Sequence, residues 1–315
     1  MNKRIFFAPL VSLMLFCIFS FVAFILPIVN VLCPILLMLF GAFSLFKNSK
    51  ITLYTGTLVA VAISCAVSGA IVYSIVYALG FVAAGFVLCY SLLTKKGGAH
   101  ALISVLVCLL VANYGSVALS DLFAGKQAFS FVDEMFKTLK PVIVEAINNV
   151  GTGLKPENVE IIFQQYETLV RMLLPAMIII IGLFETIILS FLVKVIVNKT
   201  IGTIVVDLKF SRFKADGTTV FVFLLSAIIS MFAGDSIIAV VFSNIYMILN
   251  VVLFLCGLSL FDWYLKDVKK IRFGFRVLIF MLVGISFVFP ILPLLFTVAA
   301  LVDARRNFRF TEEDS

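Results

Sequence analysis

Long apolar runs separated by short polar clusters recur along this chain from residue 6 to residue 302. A helix needs about 20 apolar residues to cross a bilayer. Runs of that kind cover 6–25, 28–46, 51–71, 73–94, 101–119, 170–193, 219–234 with its flank, and 237–261. Lipid offers the backbone no hydrogen-bond partner, so each run is expected to be helical. The roughly ten-residue alternating strands of a membrane barrel do not occur. The pattern predicts an all-α, polytopic transmembrane helix bundle with eight spans. A ninth segment, 273–302, has about 30 residues, or roughly 45 Å of helix. That is long for one crossing and short for two. Arg272 and Arg276 flank one end, and Arg305, Arg306 and Arg309 the other. The segment is therefore expected to bend at Pro290 and Pro293 and return to the side it left. One long tilted helix is the alternative.

The opening "MNKRIFFAPLVSLMLF" has the basic start and apolar middle of a signal peptide, but no small-x-small cleavage site follows, so it reads as an uncleaved first span. Only residues 121–168 form a sizeable polar segment. Its first half, "FVDEMFKTLKPVIVEAINNV", is expected to be helical with an interruption at Pro141. "GTGL" breaks the chain. Pro156 suits the first turn of a second helix that runs on into the span containing Pro175. The expected organisation is 1–120 for spans one to five, 121–168 for an external amphipathic helical hairpin, 169–304 for spans six to eight plus the bent segment, and 305–315 for a short charged tail.

Composition supports the membrane reading. The chain is 63% hydrophobic and only 13% charged, with a mean hydropathy of +1.21; soluble domains are nearer half apolar and a quarter charged. The net charge of +7 reflects topology. With the N-terminus cytoplasmic and the spans alternating, sixteen Lys and Arg fall on inner segments. Five, from Lys126 to Arg171, lie in or beside the outer segment. This is the positive-inside pattern. It argues for the cell membrane and a lipid bilayer as partner, and against nucleic acid. The outer segment 121–168 is then extracytoplasmic and the tail cytoplasmic.

Candidate chemistry is sparse. All six cysteines lie inside apolar runs, where they serve as small packing residues. The single histidine, His100, excludes a His-rich metal site, and no cofactor is expected. Motifs of zinc hydrolases, serine hydrolases and phosphate-binding loops are missing, so the chain is not expected to be an enzyme. Tyr73, Tyr77, Trp263 and Tyr264 sit near span ends as interfacial anchors.

One carboxylate stands out. Glu185 lies in "IIIIGLFETIILSFLVK", fourteen residues from Arg171 and nine from Lys194, near mid-bilayer. A charge there costs at least ~2.5 kcal/mol, so Glu185 should face the bundle. Gly182, Thr186 and Ser190 make a small-residue stripe beside it that lets helices approach. Asn250, at a similar depth, or Arg276, entering from the cytoplasmic end, is the expected partner. The acid either fixes packing or couples a proton or substrate. Two proline-broken segments, "FILPIVNVLCPILL" and "FVFPILPLLF", are of the kind that flank transporter sites or simply kink helices.

The order of these features, with "SNIYMILNVVLFLCGLSLFDWYLK" and "LVDARRNFR", resembles the YybS-like predicted membrane proteins of Gram-positive bacteria. Asn244, the Gly257-Leu258-Ser259 triplet, Asp303 and Arg309 carry the match. "AALVD" departs from it where the family often has Gly before the Asp, and "FKADGTTVF" lacks the family's Trp/Pro signature. The resemblance implies a membrane fold similar to the substrate-binding subunits of energy-coupling-factor vitamin transporters. It also implies a transporter-like protein that binds a small solute within the bundle. Glu185, Asn250 and Asn244 are the candidates for substrate or proton coupling. The alternative is a non-catalytic scaffold that docks membrane-protein partners through the outer hairpin or the basic inner loops.

Overall fold

Apolar runs of this length can satisfy their backbones in lipid only by coiling, and those among the described residues do so. The computed structural model describes residues 3–23, 32–47, 50–94, 97–150, 156–202, 208–234, 236–276, 278–279, 291–306 and 308–309. Among them there is no strand. The helices are α1 (Lys3–Val22), α2 (Leu32–Lys47), α3 (Lys50–Ser68), α4 (Ile71–Leu93) and α5 (Gly98–Phe123). They continue with α6 (Ser130–Val150), α7 (Pro156–Ile201), α8 (Gly217–Phe232), α9 (Ile237–Val268) and α10 (Ile291–Arg306).

Five of these, α3, α4, α5, α7 and α9, contain stretches long and apolar enough to cross a membrane. Shorter apolar stretches, Phe7–Val22, Leu32–Phe46 and Gly217–Phe232, occupy α1, α2 and α8. The described residues thus hold five helices long and apolar enough to span a membrane, plus shorter apolar helices, where the hydropathy pattern predicts eight spans. Two of the shorter stretches border 24–31, which lies outside the described residues. So does the expected bend at Pro290. Pro293 sits in the first turn of α10, where its missing N–H removes no intrahelical bond. The expected interruption at Pro141 does not occur: α6 runs through it.

The contacts divide the chain into two units. The first comprises Met1–Arg171 and Ile181–Leu208, the second Met172–Ile180 and Lys209–Ser315. In the first, α4 packs against α2, α3 and α5, and α1 against α2. Small residues bring α2 and α4 into backbone contact. A Cβ on Gly41 would lie 2.0 Å from the Val82 carbonyl oxygen, and one on Gly85 would lie 1.8 Å from that of Met38. Leu37, Phe40, Phe81, Leu88, Leu109 and Val193 close the core around this contact. The outward surface is apolar too, with Ile51 77% exposed, as suits a face turned to acyl chains.

The polar end of this unit is a hairpin. The Lys140 ammonium meets Glu160 at 2.6 Å, and Arg171 pairs with both Asp133 and Glu167. Phe136 packs edge-on against Phe163 and Tyr166. α6 therefore lies along the first turns of α7, held by aromatic packing beneath and ion pairs above. In the second unit, α9 packs against α8 and α10 around Phe223, Leu253, Cys256 and Ala300.

Candidate functional site

Glu185 lies in the part of α7 that belongs to the first unit, and the small residues beside it decide its surroundings. Gly182 is buried against α5: a Cβ there would come 2.7 Å from Leu110 Cδ2. The helices are close enough for a polar contact across them. The Asn113 side-chain amide donates to Glu185 Oε2 at 2.6 Å. Asn113 belongs to a π-helical turn, Val111–Gly115, within α5. Such turns insert one extra residue into the helical register and recur at functional sites. The carbonyl of Asn113 accepts from Ser116 Oγ at 2.9 Å, which ties the turn to the helix that follows.

The acid is half-buried and turned towards α5, as its desolvation cost requires. Thr186 and Ser190 are buried at 2% and 0% exposure, and their hydroxyls have no protein hydrogen-bond partner. Helical Ser and Thr usually return that bond to the preceding turn, as Thr55, Thr57 and Ser74 do here. The stripe beside Glu185 is therefore polar and unspent.

The expected partners of Glu185 are engaged elsewhere. Asn250 Oδ1 accepts from Thr297 Oγ1 at 3.4 Å, and Arg276 Nη1 donates to Asp262 at 2.6 Å. Asn113 was not singled out by sequence, although a lone amide inside "CLLVANYGS" is the kind of residue that has to find a polar neighbour in lipid.

The second unit holds two polar constructions. Pro175 has no N–H, so the Arg171 carbonyl loses its usual helical donor. One residue on, Asn244 of α9 reaches into the α7 backbone. Its Oδ1 accepts the Ala176 N–H at 2.9 Å, and its Nδ2 donates to the Met172 carbonyl at 2.9 Å. A straight helix joins those two backbone groups directly. Asn244 is thus a clamp on the proline turn.

The other construction gathers residues far apart in sequence. The Arg309 guanidinium donates from Nε to Asp303, from Nη1 to the Ser211 carbonyl and Ser259 Oγ, and from Nη2 to the Cys256 carbonyl, and its Nη2 lies 2.9 Å from Asp303 Oδ2 as an ion pair. Four of its five N–H groups thus make hydrogen bonds. Ser259 Oγ in turn donates to the Phe210 carbonyl at 2.7 Å. Gly257 makes room for this arrangement: a Cβ there would sit 2.0 Å from the Phe296 carbonyl oxygen.

Residues 10–304 match a family model described as predicted membrane protein (DUF2232). The chain belongs to the DUF2232 family of predicted membrane proteins. No curated protein and no solved structure matches it. The resemblance to YybS-like proteins agrees with that membership. The DUF2232 match takes in Asn244, Gly257 and Asp303 and stops short of Arg309. Of the residues that carried the resemblance, Ser259, Asp303 and Arg309 meet in one hydrogen-bonded group in this DUF2232 chain, Gly257 packs against the Phe296 backbone, and Asn244 serves the turn at Pro175.

Proposed function

We propose that this chain is a non-catalytic, transporter-like protein of the cell membrane that binds a small solute inside its first unit, at Glu185. The observation that carries this is the Glu185–Asn113 contact at a π-helical turn. A carboxylate deep in an apolar span is costly, and intramembrane acids line solute, ion or proton paths. The unspent hydroxyls of Thr186 and Ser190 support the reading, since a polar solute would find acceptors and donors along one face of α7. The basic-residue bias supports eight spans plus a returning ninth segment, with the N-terminus and the 305–315 tail inside and 121–168 outside.

The experiment is a thermal-shift screen of the purified full chain against small polar solutes, at acidic and neutral pH. A stabilising solute whose effect depends on pH, and disappears in a well-folded Glu185→Gln variant, is the expected result. A ligand response that Glu185→Gln leaves intact would remove the acid from the site.

One observation favours the alternative scaffold. The outer hairpin leaves Phe131, Leu139, Val142, Ile161 and Ile162 exposed, an apolar edge suited to a protein partner. A partner that co-purifies with the wild type and is lost when Leu139 and Ile162 become Ser, with no solute response in either protein, would favour docking.

A further inference from the structure

Two cavities of the second unit share one wall. The first, about 540 Å³, is apolar and is lined by Gly257, Leu260, Phe296 and Ala299 among others. The second, about 280 Å³, is polar and is lined by Lys209, Arg212, Lys266, Asp267 and Arg309 among others. Trp263 lines both. An apolar slot beside a basic pocket, with an indole at the junction, has the outline of an amphiphile.

The charges narrow the occupant further. Arg309 donates to Asp303, Ser259 and the carbonyls of Ser211 and Cys256, and its charge is balanced by Asp303. It walls the polar cavity with its guanidinium turned to these protein acceptors. Arg212 and Lys266 supply donors, Lys209 adds charge, and Asp267 offsets one cation through its 3.6 Å pairing with Lys266. The pocket keeps a positive excess suited to a phosphodiester. The charge bias places this end of the helices at the cytoplasmic leaflet, where anionic lipids gather. Indole side chains settle at that depth.

We infer that the second unit binds an anionic phospholipid, with its phosphate headgroup in the basic cavity of Lys209, Arg212 and Lys266 and an acyl chain in the apolar cavity along Gly257 and Phe296. The site is separate from the one proposed at Glu185, and neither depends on the other.

Trp263 is the only tryptophan in the chain, so its emission reports this place alone. The full chain is reconstituted in vesicles of neutral phosphatidylcholine. Phosphatidylglycerol or phosphatidylcholine with brominated acyl chains, which quench indole on contact, is then added in increasing fraction. Brominated phosphatidylglycerol should quench at a fraction lower by about fivefold or more, the effect of a single surface cation on an anionic lipid. Replacing Lys209, Arg212 and Lys266 by Gln should abolish the preference without moving the melting temperature. If that triple variant misfolds, Arg212→Gln and Lys266→Gln taken singly should each lower the preference. Equal quenching by the two lipids would overturn the proposal, as would a preference that survives in the variants. A change in Trp263 emission caused by inorganic phosphate at constant ionic strength, with no preference between the lipids, would assign the cavity to a soluble anion and overturn it as well.

Discussion

Arg309 Nη2 and Asp303 Oδ2 meet at 2.9 Å with side chains 2% and 1% exposed. The pair lies beyond the reach of solvent screening, and each charge depends on the other. Breaking a buried pair from one side costs about 3–5 kcal/mol, because the remaining charge stays behind unpaired. Asp303→Ala and Arg309→Ala should each destabilise the protein by that order. The double variant should cost clearly less than the two together. Arg309→Lys should not rescue, since an ammonium cannot serve four acceptors with a planar fork. Thermal melts of the four proteins give the cycle, and additive losses would mean that the two residues act independently.

Asn113 and Glu185 allow a similar test with different chemistry. Asn113→Leu removes the one side-chain donor to the acid among the described residues and should cost about 1–3 kcal/mol. Pairing it with Glu185→Leu should recover part of that loss, because an apolar pair leaves nothing unsatisfied. A double variant less stable than Asn113→Leu alone would show that Glu185 has further polar partners.

Two glycines should respond unequally to the same methyl group. At Gly257 the new Cβ would meet backbone, the Phe296 carbonyl oxygen at 2.0 Å; at Gly182 it would meet the tip of the Leu110 side chain at 2.7 Å. Backbone cannot step aside, whereas a leucine can change rotamer. Gly257→Ala should therefore lower stability by about 1–3 kcal/mol or more, and Gly182→Ala by less. The order of their melting temperatures checks this.

Asp216 caps α8. Its Oδ1 accepts the Thr219 N–H at 2.8 Å and the Thr219 hydroxyl at 2.5 Å. These bonds hold its carboxyl below the usual aspartate value. A carboxyl lowered by folding adds stability above its unfolded pKa of about 3.9 and loses it as pH falls through the lower folded value. The residue is exposed, so the pH-linked part is small. Asp216→Ala should cost about 1 kcal/mol at neutral pH. Asp216→Asn should keep most of the cap and flatten the acid limb of the stability curve below about pH 4. A variant curve that still falls like the wild type would assign that limb to other groups.

Some of this was readable in the residues and some was not. Helical spans follow from apolar length, and the inward turn of Glu185 follows from its cost in lipid with Gly182 and Thr186 beside it. Its partner was not readable. Asn250 and Arg276 were the expected choices because they share its depth or could reach it, but depth does not say which helices are neighbours. Asn113 lies 72 residues away in sequence, on a π-helical turn that has no sequence signature. Pro141 misled for a related reason: a proline predicts a break, yet α6 packed along α7 runs through it. Asp303 and Arg309 were marked by resemblance alone. That Arg309 closes onto Ser211, Cys256 and Ser259 depends on the turn after α10, which no periodicity encodes.

The clamp on the proline turn also has a time attached to it. Ala176 leaves the ribosome 68 residues ahead of Asn244. At about 5–20 residues per second, the turn at Pro175 exists for roughly 3–14 s before the side chain that completes it has been made. Over that interval the nascent α7 carries a weak point at the membrane. Slower elongation between codons 176 and 244 would lengthen that interval in proportion.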